Sequence, residues 1–95
     1  MANASRSGRV TLDPGEKRTV IAGNLSGNTA AIYRFFNSGR KGDTIKILEE
    51  VGSGFSDLAE VKWKDSVDVP VNKNAISVEA GTEEAEVVYD FLGLA

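Results

Sequence analysis

The chain has 95 residues, 26% of them charged, a formal net charge of −3, and neither cysteine nor histidine. Without an imidazole or a thiol there is no histidine general base, no Ser-His-Asp or Cys-His nucleophile, no zinc or iron–sulfur cluster and no disulfide. A chain of this length forms one domain that stands on its core alone, no cofactor is expected, and no run of apolar residues is long enough to span a membrane.

Residues 1–9 are small and polar, carry only Arg6 and Arg9 as charges, and read as a flexible arm before a single domain over 10–95. The arm lacks the apolar stretch of a signal peptide, so the expected location is the cytoplasm or a particle such as a virion. From Val10 onward apolar residues recur at period two, the mark of half-buried strands. Val10 and Leu12 lead to a Pro14-Gly15 turn, in which proline presets φ and glycine accepts a positive φ. A second strand follows over 17–22, and a turn cluster over 23–28. The third strand, 29–36, puts Ala31, Tyr33 and Phe35 on one face and Ile32, Arg34 and Phe36 on the other.

The strand over 43–51 turns Ile45 and Ile47 inward, and the Gly/Ser-rich segment 52–57 reads as a flexible loop. Residues 59–71 form a long alternating strand, bent near Asp65 and Ser66, with Trp63 in phase with Ala59 and Val61. Ile76 and Val78 mark the next strand, and Val87, Tyr89 and Phe91 the last. About seven short strands separated by turn clusters predict an all-β, antiparallel β-sandwich, immunoglobulin-like or jelly-roll-like, with a small β-barrel as the alternative.

One internal similarity stands out: Val10-Thr11-Leu12-Asp13-Pro14-Gly15 matches Ile76-Ser77-Val78-Glu79-Ala80-Gly81 in chemical type. The first copy, continued by Glu16, Thr19 and Val20, resembles the strand, Pro-Gly turn, strand opening of bacterial immunoglobulin-like modules. Over about a dozen residues that resemblance implies a fold class and no site.

Charge is unevenly distributed along the chain. Residues 1–46 hold eight basic and three acidic groups, and the remainder three basic and eleven acidic. Either the halves pair within one sheet, or they leave a dipolar surface that attracts another copy. The acidic balance argues against nucleic acid. The carboxylates Glu79, Glu83, Glu84, Glu86 and Asp90 do not follow a calcium-loop pattern and read as a solvated face. A small sandwich offers little cleft for paired-carboxylate chemistry, so no enzymatic activity is expected.

Four further positions are candidates for contact. Trp63 reads as the central core aromatic, with sugar stacking as the lesser alternative. Phe55, in the Gly/Ser-rich segment, is either a plug or a recognition side chain, and Arg40 and Lys41 are adjacent loop cations suited to an acidic surface. The Lys41-Gly42-Asp43 tripeptide is explained by turn chemistry.

Two functions are expected. The first is a non-catalytic structural module that self-associates as a homo-oligomer. In it Val88, Leu92 and Leu94 supply an outward apolar edge, and Arg34, Arg40 and Lys41 meet Glu83, Glu84 and Glu86 of a neighbour. The alternative is a small carbohydrate-binding or other recognition module using Phe55 and Tyr33, with a glycan or another protein as partner.

Overall fold

A computed structural model of the chain describes residues 7–21, 30–39, 44–71 and 73–94. Among the described residues there are eight strands: β1 (Ser7–Leu12), β2 (Lys17–Ile21), β3 (Ala31–Asn37), β4 (Ile45–Val51), β5 (Gly54–Val61), β6 (Ser66–Val71), β7 (Ile76–Glu79) and β8 (Ala85–Leu94). They form two four-stranded antiparallel sheets, ordered β1-β8-β3-β6 and β2-β7-β4-β5. This is the order obtained when one long hairpin, pairing β1 with β8, β2 with β7, β3 with β6 and β4 with β5, is rolled until β8 meets β3 and β7 meets β4. The fold is therefore a jelly-roll sandwich. In an immunoglobulin-like order β1 and β2 would be neighbours, whereas here the Pro14-Gly15 turn carries the chain from one sheet to the other.

The internal similarity has its origin in this topology. β1 to β2 and β7 to β8 are both crossings between sheets, and pairing of β1 with β8 and β2 with β7 brings the two corners together. Gly15 N–H donates to the Gly81 carbonyl at 2.7 Å, and Ala80 N–H to the Glu16 carbonyl at 2.9 Å. Similar corners call for similar turn residues.

Alternation places most of the core. In β3, Ala31, Tyr33 and Phe35 are buried, whereas Arg34 and Phe36 are exposed and Ile32 is half-buried. Tyr33, Phe35, Tyr89 and Phe91 meet between the sheets, with the rings of Tyr33 and Phe91 edge to face at 5.6 Å. Leu12, Ile45, Ile47, Val61, Val69, Val71, Ile76, Val78 and Val87 complete the filling.

Departures from the sequence reading follow bulges and corners. β1 begins at Ser7, inside the expected arm, because β8 is long enough to pair with Ser7 and Gly8. A Cβ at Gly8 would meet the Tyr89 ring, so a small residue there reflects packing. A register shift between Thr19 and Ile21 makes Ile21 fully buried and leaves Val20 half-buried. The expected loop at 54–57 is the first half of β5, paired with Glu50 and Val51 of β4. The long strand expected over 59–71 is two strands in different sheets, separated by a turn at Lys62–Asp65 in which Lys64 takes φ 67°.

That corner overturns the assignment of Trp63 to the core. The turn breaks the alternation after Val61, and the indole is 40% exposed, with Nε1–H donating to the Gly39 carbonyl at 2.7 Å. Buried Asn37 holds the corner in place: its Nδ2 donates to the Val61 carbonyl at 3.0 Å, and its backbone bonds to Lys64 and Asp65.

Candidate interaction surfaces

The hairpin topology pairs every strand of the basic half with one from the acidic half, so charge that is segregated along the chain is interleaved in space. Arg9 lies 3.9 Å from Glu86, and Arg34 Nε donates to Asp68 at 2.7 Å, with its second nitrogen on the other carboxylate oxygen. In register, Arg34 also faces Asp90, Lys17 faces Glu79, and Lys46 faces both Glu79 and Glu60. Among the described residues the halves therefore form sheets of mixed charge.

The outer face of β1-β8-β3-β6 carries three transverse rows. At one end Ile32 is paired with Pro70 and Gly93, beside Leu92, which is 46% exposed. Arg34, Asp68 and Asp90 form the middle row. At the other end Phe36, 38% exposed, faces half-buried Val88, which in turn faces Arg9. The face is thus two apolar ends separated by a charged belt.

Several expected contacts change on this face. Tyr33 is 2% exposed inside the core, so its ring is not available as a recognition residue. Leu92 and Leu94 do not hold one phase. A bulge between the Tyr33–Phe91 and Ile32–Gly93 pairs, made possible by Gly93 at φ 147°, sets Leu94 opposite Ala31 in register. Arg34 is paired with Asp68 within the chain, and Glu86 is approached by Arg9 and accepts a bond from Ser38 Oγ at 3.0 Å. Glu83 and Glu84 are exposed on the turn before β8. Arg40 and Lys41 lie outside the described residues, as does Asp43. Thr11, Ser38, Gly39, Glu84, Ala85 and Glu86 line an open cavity of about 290 Å³ beside the Trp63 corner. No group of three or more acidic residues among those described is placed to hold a metal ion.

The outer face of β2-β7-β4-β5 is organised differently. Ser77 and Leu48 face each other in register, opposite in phase to the core residues Ile76, Val78 and Ile47, yet they are only 1% and 3% exposed. Lys17 of β2 places its amine 3.9 Å from the ring centroid of Phe55 of β5, so the two side chains meet above the middle strands. Phe55 thus neither plugs the sandwich nor projects from a loop; it lies across the sheet, 48% exposed. On the same sheet, the Thr19 and Ser77 hydroxyls both donate to Glu50 Oε2, the latter at 2.9 Å.

Those two bonds hold the Glu50 carboxyl below its ordinary value of 4.5. Glu16 is lowered by the Asp13 backbone N–H and then by Arg18, and Asp68 by Arg34. A carboxylate with a depressed folded-state pKa contributes stability that is present above its unfolded value and is lost as pH falls through the folded one. The melting temperature should therefore decline as pH falls below about 4.5, and Glu50→Gln should flatten that decline. A series of melts for both proteins tests this, and parallel curves would show that Glu50 is not coupled to folding.

No protein-family model matches the chain, and no curated protein matches it in sequence. Solved structures do share its fold. A crystal structure of PirA aligns over 96% of this chain and 97% of that one, with a TM-score of 0.63 and 13% identity. Drosophila melanogaster CENP-C, in a crystal structure bound to CAL1, aligns over 97% of this chain and 68% of that one, with a TM-score of 0.62 and 7% identity. At such identities the likeness is one of fold.

Proposed function

We propose that the chain is a non-catalytic structural module that associates with a second copy of itself through the outer face of β1-β8-β3-β6. The observation that carries this reading is the grouping of Ile32, Phe36, Val88 and Leu92 on that one face, on either side of the Arg34–Asp68 pair and Asp90. A twofold axis in the plane of the contact, parallel to the strands and between β8 and β3, would lay each apolar end over the same end of the other copy. It would also bring Arg34 of one copy towards Asp90 of the other, the self-complementarity an isologous contact requires.

A face of four strands by about six residues spans roughly 15–20 Å each way, which is smaller than stable interfaces, so association should be weak and depend on concentration. Because most of its charges already pair within the sheet, added salt should weaken association little. Light scattering after size exclusion, over a concentration series, should show dimer formation. Phe36→Ser with Leu92→Ser should weaken dimerisation by about tenfold or more, with the melting temperature of the monomer retained. A wild-type chain that stays monomeric at high protein concentration would overturn this reading.

A further inference from the structure

We propose that the outer face of the opposite sheet, β2-β7-β4-β5, binds a neutral carbohydrate, with Phe55 as the stacking ring and Glu50 as the acceptor for sugar hydroxyls. A sugar presents one apolar ring face and a rim of hydroxyls that donate and accept at once. Its site therefore needs an accessible aromatic face beside polar groups of both kinds, already held in position. Phe55 and Glu50 are directly opposed in the β4–β5 register, which sets their Cβ atoms about 5 Å apart.

The polar groups are preorganised. Glu50 Oε2 is occupied by the Thr19 and Ser77 hydroxyls, which fixes the carboxylate plane, while no described residue donates to Oε1. The Lys17 amine lies over one face of the Phe55 ring, 3.9 Å from its centroid, and supplies a donor there. The Thr19 hydroxyl, 3.2 Å from Ser77 Oγ, adds a third polar group.

Charge decides between ligand classes. An ammonium and a carboxylate flank the ring together, so an acidic ligand would be repelled by Glu50 and a basic one by Lys17, whereas hydroxyls bond to both. The site lies on the outer face of a sheet, which fits one or two units of a surface glycan better than an engulfed small molecule.

The wild-type protein, applied fluorescently labelled to an array of neutral and charged glycans, should bind a subset of neutral structures. Titration of the hits should shift the backbone amide signals of Thr19, Glu50 and Phe55. Phe55→Ala and Glu50→Gln should each weaken binding by about tenfold or more, and Phe55→Tyr should retain it. Since Phe55 is half exposed, its variants should melt as wild type does. The Phe36→Ser, Leu92→Ser protein should bind glycans per chain as wild type does, which separates this site from dimerisation. The proposal fails if no neutral glycan binds, if acidic or basic glycans are preferred, or if Phe55→Ala binds as well as wild type.

Discussion

Phe35→Ala is expected to destabilise the domain by about 3–5 kcal/mol, the range for removing a large aromatic from a packed core. Phe35 is fully buried between the two sheets, 6.1 Å from the Tyr89 ring, and the sheets cannot close over the space its side chain would leave. For a domain of this size the melting temperature should fall by roughly 12–40 °C. Trp63→Ala should cost only about 1–2 kcal/mol, because the indole is 40% exposed and loses one hydrogen bond, to Gly39, with part of its ring contact. Denaturant unfolding of both variants makes the comparison, and equal losses would contradict the placement of Trp63 at an exposed corner.

Asn37→Leu is the second large effect expected. Asn37 is 2% exposed at the end of β3 and satisfies the Val61 carbonyl where β5 leaves its sheet for β6. Leucine of similar size would leave that carbonyl buried without its donor, at about 1–3 kcal/mol, and would remove the acceptor that the Gly39 N–H reaches. Since the Trp63 indole is tied to Gly39, loosening of the corner should also shift tryptophan fluorescence to the red below the unfolding transition. A destabilised variant with unchanged native fluorescence would show that Asn37 acts on β3 without organising the corner.

Much of the core was legible from alternation. In β3, β4, β7 and β8 most inward apolar residues are separated by a polar or charged one, Ile32 and Val88 being exceptions, and burial of one face then follows from the two-residue repeat of the strand. Alternation is silent wherever the count slips by one. The bulges at Thr19–Ile21, Ile47–Leu48 and Leu92–Gly93 each insert a residue without changing composition. As a result Ile21 was missed as core, and Leu92 and Leu94 were assigned one face. The same blindness extended the strand through Trp63, because Lys62-Trp63-Lys64 alternates as cleanly in a corner as in a sheet.

The candidate sites were less legible, since each depends on which strands are neighbours. Phe55 was visible as an aromatic without a periodic partner, but nothing local to it announces Lys17, which lies 38 positions earlier and at the opposite edge of the sheet. Nor does the spacing of Thr19, Glu50 and Ser77 suggest a shared hydrogen-bond cluster. Residue order by itself determined an antiparallel sandwich without histidine or thiol chemistry, because composition and a two-residue period are local properties. The rolled-hairpin topology decided the rest. By setting β1 on β8, β2 on β7 and β3 on β6, it turned a chain of basic and acidic halves into two mixed-charge sheets, and it selected which apolar side chains those sheets leave facing outward.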